Sequence, residues 1–206
     1  MNREIHAHNS DEQDVQDMIR LASGDDPSLN KLMDRHAERL FQYLLRSLQN
    51  ESDAADLAQE TFVKVYQNRA RFDTRRQKFS TWLYAIASNL VRTRYRWRAR
   101  HPQISLNADN PETGTELGEQ LPDSVLTPSE LLESCERSEK IRGAIAALPD
   151  NFRLPLVLAE YEDKSHTEIA IILNCGVKAV ENRIRQARNQ LRSALAPLLR
   201  IRESRG

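Results

Sequence analysis

Between Lys178 and Arg192 the chain runs KAVENRIRQARNQLR, a segment whose residue types could read DNA. Arginine pairs two hydrogen bonds with guanine, asparagine does the same with adenine, and a carboxylate accepts from cytosine N4; each good pair is worth about 1–3 kcal/mol of discrimination. On a helix of 3.6 residues per turn, Val180, Ile184, Ala187 and Leu191 form one apolar stripe that must be buried against a second element. At about 100° per residue, Lys178, Asn182, Arg185 and Asn189 gather on the opposite face, with Glu181, Arg188 and Arg192 beside them. An ordinary solvated helix also carries a charged face, so the neighbouring segments have to decide between the two readings.

The element that would hold this helix lies just before it. Ser165 followed by Glu168 is an S-x-x-E capping box, which predicts a helix starting at Ser165 and carrying Ile169, Ala170, Ile172 and Leu173. Asn174 and Gly176 bracket Cys175, and both residue types tolerate the left-handed backbone of a tight turn. A capped helix, a short turn and a polar-faced helix make a helix-turn-helix, whose second helix enters the major groove.

Two stretches of the N-terminal half carry different chemistry. In DAADLAQETFVKVYQN, helical spacing predicts Ala58, Phe62 and Tyr66 as the buried side, with Asp53, Asp56, Leu57 and Glu60 projecting from the other. An acidic face with one exposed leucine suits a basic protein surface, although a solvated face has the same composition. In FSTWLYAIASNLVRTRYRWRAR, Leu83, Ala87 and Leu90 supply a core stripe, and Trp82, Asn89 and Arg96 share a neighbouring face. Arg92, Arg94, Arg96, Arg98 and Arg100 then alternate with residues that include Tyr95 and Trp97. Positive charge tracks phosphates and aromatic rings stack unpaired bases, a combination that favours melted DNA over closed duplex.

The elements that would position these groups are helical throughout. Val15, Met18, Ile19 and Ala22 predict a short first helix ending at SGDDPS. Leu29, Leu32, Met33, His36, Ala37, Leu40, Leu44 and Leu48 predict a second, with His36 as a satisfied core-edge residue. Further helices are expected over about 52–68 and 80–100. No segment alternates like a strand, so the expected class is all-α, with two small helical domains at 15–101 and 131–200. Residues 1–14 are expected to be a disordered polar leader. Residues 102–130, rich in Pro, Gly and acids, are expected to form an extended linker, with helical patterning resuming at Pro128.

The balance of 30 basic and 30 acidic residues conceals segregation. Residues 61–101 hold eleven Lys and Arg against one acid, residues 107–139 nine acids against one base, and residues 174–206 eight bases against two acids. Two basic blocks separated by an acidic one suggest two polyanion-binding modules. No apolar run suggests a membrane span or a signal peptide, which places the chain in the cytosol without membrane insertion. Cys135 and Cys175 are expected to be reduced thiols, and His6 and His8 to be incidental. None of the six glycines forms a nucleotide-cradling motif, so neither metal nor cofactor is expected.

Taken in order, GDDPSLNKLMDRH, DAADLAQETFVKVYQN, FSTWLYAIASN and LPDNFRLPLVLAEYEDKSHTEIAIILNCGVKAVENRIRQARNQL resemble the extracytoplasmic-function branch of the bacterial sigma factors. The resemblance spans about residues 15–195, the linker excepted. It implies a protein that is not an enzyme. Such a protein binds core RNA polymerase and promoter DNA, is a monomer when free, and is commonly held by an anti-sigma factor. Carried onto matching positions, Asp53, Asp56, Leu57, Gln59 and Glu60 would dock on the largest polymerase subunit. Phe72, Asp73, Ser80, Thr81 and Asn89, with Trp82, Arg92 and Arg96, would read a melted minus-ten element. Lys178, Glu181, Asn182, Arg183, Arg185 and Arg188 would face the minus-thirty-five element. The chain departs from the family's DGLSYEEIA, which here is EDKSHTEIA, and from CPVGTV, which is CGVKAV.

Two other readings use parts of the same pattern. A helix-turn-helix regulator acting without polymerase core accounts for Lys178–Arg192 but gives the acidic and aromatic faces no purpose. A metal-dependent nuclease would use Asp53, Asp56 and Glu60, whose spacing along one helix exposes them rather than converging them in a cleft.

Overall fold

The computed structural model describes residues 2–101 and 128–203, with side chains described over 11–101 and 137–196. The elements are α1 (Asn2–Ala22), α2 (Pro27–Leu48), α3 (Glu51–Gln67), a 3-10 turn at Arg69–Arg71, α4 (Phe79–Arg100), α5 (Pro128–Ala146), α6 (Asp150–Glu160), α7 (His166–Leu173) and α8 (Val177–Glu203). The fold is all-α. In the N-terminal module α2 packs against α1, α3 and α4, and in the C-terminal module α6 and α7 pack against α8. The buried apolar side chains of the two modules run together as a single cluster, because α4 also packs on α7 and α2 on α6.

Local rules set the helix ends. Asn50 caps α3 by accepting from the Asp53 backbone N–H at 2.8 Å, and Pro27 opens α2, where its missing N–H costs nothing. Gly24 occupies φ 101° in the turn after α1, a conformation that strains any residue with a Cβ.

The first helix differs from its expected form. Residues 2–14 are helical rather than a disordered leader, and Ile19 is 56% exposed, while Met18 and Leu21 are buried. The inward face also carries two acids, Asp14 at 1% exposure and Asp17 at 5%. Their partners lie on α2: Arg35 donates to Asp14 at 2.9 Å and to Asp17 at 2.6 Å, and His36 Nε2 sits 2.7 Å from Asp14. A polar segment therefore folds, because Asp14 and Asp17 are neutralised by Arg35 and His36, which stand eighteen or more positions along the chain on α2. His36 stands as a core-edge residue, its ring 5.1 Å from that of Phe79.

Arg35→Ala would leave Asp14 with His36 alone and Asp17 with only the longer contacts of Arg20 at 3.9 Å and Lys31 at 4.0 Å, and breaking a buried pair in this way is strongly destabilising. A loss of roughly 3 kcal/mol is expected in urea unfolding. A loss below about 0.5 kcal/mol would mean that α1 is not part of the cooperative fold.

Candidate nucleic-acid and polymerase interfaces

On α8, Val180, Ile184 and Ala187 are buried and Leu191 packs beside them, so the stripe lies where the sequence places it. Lys178, Glu181, Asn182 and Arg185 are exposed on the other side, with Arg185 Nη2 donating to Asn182 Oδ1 at 3.0 Å. Two residues of the predicted set are turned elsewhere. Arg183 is half-buried, its Nη1 3.5 Å from Cys175 Sγ, and Arg188 forks onto Glu160 at 2.9 and 2.7 Å. The capping box forms in full: Ser165 Oγ accepts from the Glu168 N–H, and Glu168 accepts from the Ser165 N–H at 2.9 Å. Asn174 takes the left-handed conformation (φ 48°), whereas Gly176 does not and has open space where a Cβ would stand. One residue, not two, therefore makes the turn.

On α3, Asp56, Gln59 and Glu60 are exposed, but Leu57 is 3% exposed and is not the surface leucine that spacing suggests. It faces α4, where it lines a groove of about 340 Å³ with Glu60, Leu90, Thr93, Arg94 and Trp97. The large exposed apolar side chain on α3 is Val63. Asp53 is also engaged: Arg94 donates to it at 2.6 Å, and Arg98 donates to its second oxygen. The ionic joint Asp53–Arg94–Arg98 was not visible in the sequence, since its partners are more than forty residues apart. Asp53 and these arginines border a cleft of about 570 Å³ beside Trp97, whose indole stacks on His101 at 5.0 Å.

At the start of α4, Phe72 and Trp82 lie 5.1 Å apart and Phe79 stands edge-on to Phe72 at 6.1 Å, an aromatic group beside the loop that holds Asp73. Asp73 accepts from the Arg75 N–H at 3.0 Å and pairs with Arg76 at 3.0 Å, which shapes that loop. Asn89 and Arg96 are exposed on α4, but Thr81 is buried at 2% exposure and is not a surface group. Ser80 and Arg92 face the C-terminal module. Lys164 Nζ donates to Ser80 Oγ at 2.9 Å, and Arg92 Nη2 donates to the Leu173 carbonyl at 2.9 Å. Between them Tyr84 donates to the buried Glu162, also approached by Arg39 at 3.6 Å. Burial pushes the Glu162 carboxyl above its usual range and the Lys164 ammonium below its own.

Two sequence families divide along the same boundary. Sigma-70 region 2 matches residues 32–101, and Sigma-70 region 4 matches residues 138–191. The ECF RNA polymerase sigma factor SigW of Bacillus subtilis is 36% identical over 180 residues, covering 87% of this chain and 95% of that protein. The chain belongs to the ECF sigma factors. The RNA polymerase sigma-H factor of Pseudomonas aeruginosa is 31% identical over 190 residues, 92% of this chain and 97% of that one. Among solved structures, CnrH in complex with the cytosolic domain of CnrY superimposes with a TM-score of 0.63 at 27% identity, over 90% of this chain and 98% of that one. The sigma factor RpoE from Bartonella quintana, bound to the anti-sigma factor NepR, shares the fold with a TM-score of 0.63 at 20% identity, over 81% and 96% of the two chains. As an ECF sigma factor the protein binds core RNA polymerase, and among the described residues no helix is long and apolar enough to cross a membrane. Cys175 is a free thiol, while the side chain of Cys135 and residues 102–127 of the acidic linker lie outside the described residues.

The capping box gives this ECF sigma factor a pH signature. Partial burial raises the Glu168 carboxyl, but hydrogen bonds from Ser165 and the charges of Lys164 and Lys78 outweigh it and leave the group below its ordinary value. The folded carboxylate therefore adds stability above the ordinary carboxylate range, and that stability is lost as pH falls through the depressed value. Ser165→Ala is expected to cost about 1 kcal/mol at pH 7 by urea unfolding, with the difference shrinking in acid. A pH-independent difference would show that the two groups do not cap α7 together.

Proposed function

We propose that this chain reads promoters with two separate faces while a third holds the polymerase. The observation that carries the reading is the polar face of α8: Lys178, Glu181, Asn182 and Arg185 stand exposed opposite a buried stripe, on a helix fixed by a capped partner. This is the arrangement that puts side chains on base edges in the major groove, here those of the minus-thirty-five element. Arg183 and Arg188 border that face, and Arg188 would exchange Glu160 for a phosphate.

Around α4, the Phe72–Trp82 pair, Asp73, Asn89 and Arg96 would take a melted minus-ten strand, by stacking and by backbone charge. Ser80 and Arg92 would join them once free of the C-terminal module, with Thr81 supporting the pocket from within. Asp56, Gln59 and Glu60 are the exposed groups on α3 that suit a basic polymerase surface. Asp53 and Leu57 would support that face through the Arg94–Arg98 joint and the α3–α4 groove. The chain works by binding and positioning, with no catalytic step of its own. Its place of action is the cytoplasm, where it is a monomer when free, and an anti-sigma protein, as in the RpoE–NepR complex, would hold it in reserve.

Two variants separate the faces. Arg185→Ala should lower duplex affinity by roughly 1–3 kcal/mol at one base position and little at the others, measured on a set of single-base promoter variants. Equal losses at every position would remove base readout from Arg185. Asp56→Arg should abolish capture by core polymerase in a pull-down while the circular dichroism spectrum is unchanged; retained capture would remove α3 from the docking surface.

A further inference from the structure

No residue of α1 belongs to either promoter face, yet three of its acids recur at every third position. Asp11, Asp14 and Asp17 therefore share one side of the helix. All three pair with residues inside the stretch matched by Sigma-70 region 2, while α1 itself lies ahead of that stretch, which begins at residue 32. Asp14 and Asp17 meet Arg35 and His36 on α2. Asp11 reaches further, its carboxylate lying 2.6 Å from Lys78 Nζ. Lys78 ends the loop 72–78 and stands at the N-cap of α4, where its side chain makes no capping bond. The hydrogen bond to Asp11 outweighs partial burial and holds the Lys78 ammonium above its ordinary range. The same helix reaches the aromatic group by a second route. Asp14 holds His36 at 2.7 Å, the His36 ring lies 5.1 Å from Phe79, and Phe79 stands 6.1 Å from Phe72 and 6.3 Å from Trp82. α1 also packs on α4 and on the 3-10 turn that leads into Phe72. One helix thus holds both ends of the loop, whose residues 73–76 are exposed.

We propose that Asp11 is a positioning residue for minus-ten readout: through Lys78 it fixes the loop 72–78 against α1, so that Phe72, Asp73 and Trp82 meet the melted strand in one arrangement. This rests on the assignment of that loop to the minus-ten element. The physical basis is preorganisation. An exposed loop samples many conformations, and that freedom is lost when a base is held against it. Anchors on a rigid helix remove part of the cost beforehand, but only for bases that fit the anchored shape. Cutting an anchor therefore weakens the fitting base and leaves the others nearly as they were, so the effect falls on discrimination. The pair is partly open to water, with 29% of the Asp11 side chain and 57% of that of Lys78 exposed. Its loss is small for the fold and is read in the loop.

The test uses the full chain with core polymerase on a promoter fragment from which the native holoenzyme initiates. The fragment is randomised across the minus-ten element in one pool and across the minus-thirty-five element in another, and the transcribed sequences are counted. Preference at a position is the ratio of the favoured base to the other three. Asp11→Ala should lower that ratio about threefold at one or more minus-ten positions and leave every minus-thirty-five ratio unchanged. Asp11→Asn, which keeps the shape and removes the charge, should do the same, and it decides the matter if the alanine variant fails to fold. Exchange of the pair, Asp11→Lys with Lys78→Asp, should restore the native ratios, a rescue that a merely structural role for Asp11 does not provide. Unchanged minus-ten ratios overturn the proposal, and so does an exchange that leaves them relaxed. An equal fall at both elements overturns it as well, because Asp11 would then serve stability alone. Higher output from every sequence at constant ratios also overturns it, since Asp11 would then only neutralise a lysine that seeks phosphate. A native holoenzyme with no base preference at the minus-ten element would remove the underlying assignment, a result seen before any variant is made.

Discussion

The joint on which the whole arrangement turns is a buried guanidinium. Arg153, on α6, donates from Nη1 to the Ser47 carbonyl at 2.7 Å and to the Tyr95 hydroxyl at 3.0 Å, and from Nη2 to the carbonyls of Ala146 and Leu148 at 2.7 Å each. Ser47 is in the last turn of α2, where carbonyls have no partner within the helix, and Ala146 ends α5. One side chain thus satisfies the ends of two helices and ties them to α4. The geometry suits arginine alone, because its planar fork presents donors in several directions at once and a lysine would reach fewer of these oxygens. Tyr95, which also donates to Ser47, has its hydroxyl pushed up to about 12, chiefly by burial.

Charge is divided in the same way elsewhere. Asp14 and Asp17 are consumed by Arg35, Asp53 by Arg94 and Arg98, and Glu162 by Tyr84 and Arg39. On the candidate faces, Asp56 and Glu60 stand exposed on α3, Arg96 on α4, and Lys178 and Arg185 on α8 beside Glu181. The chain is neutral overall, and its partners are selected by where the unconsumed charges stand rather than by a net field.

Much of this was legible in the sequence wherever a local rule decides the outcome. The α8 stripe follows from helical period, the α7 start from a capping box, and the turn from Asn174. Period failed where two faces were both plausible. Ile19 follows the apolar spacing yet is exposed, because Asp14 and Asp17 claim the inner face of α1 through partners on α2. Leu57 looks exposed beside three acids, yet α4 covers it. The docking of α7 on α4 could not be read at all. It depends on Glu162, Lys164 and Arg92 meeting groups roughly eighty residues away, a relation that no local pattern encodes.

As an ECF sigma factor this chain gives core RNA polymerase its promoter choice. Reconstitution with bacterial core polymerase on a library of promoter fragments, with start sites mapped, tests it most directly. Initiation should depend on the added protein and should start from fragments sharing two upstream elements centred near minus ten and minus thirty-five. Binding to duplex DNA with no initiation and no association with core would contradict it, and would leave the helix-turn-helix as that of a regulator acting on its own.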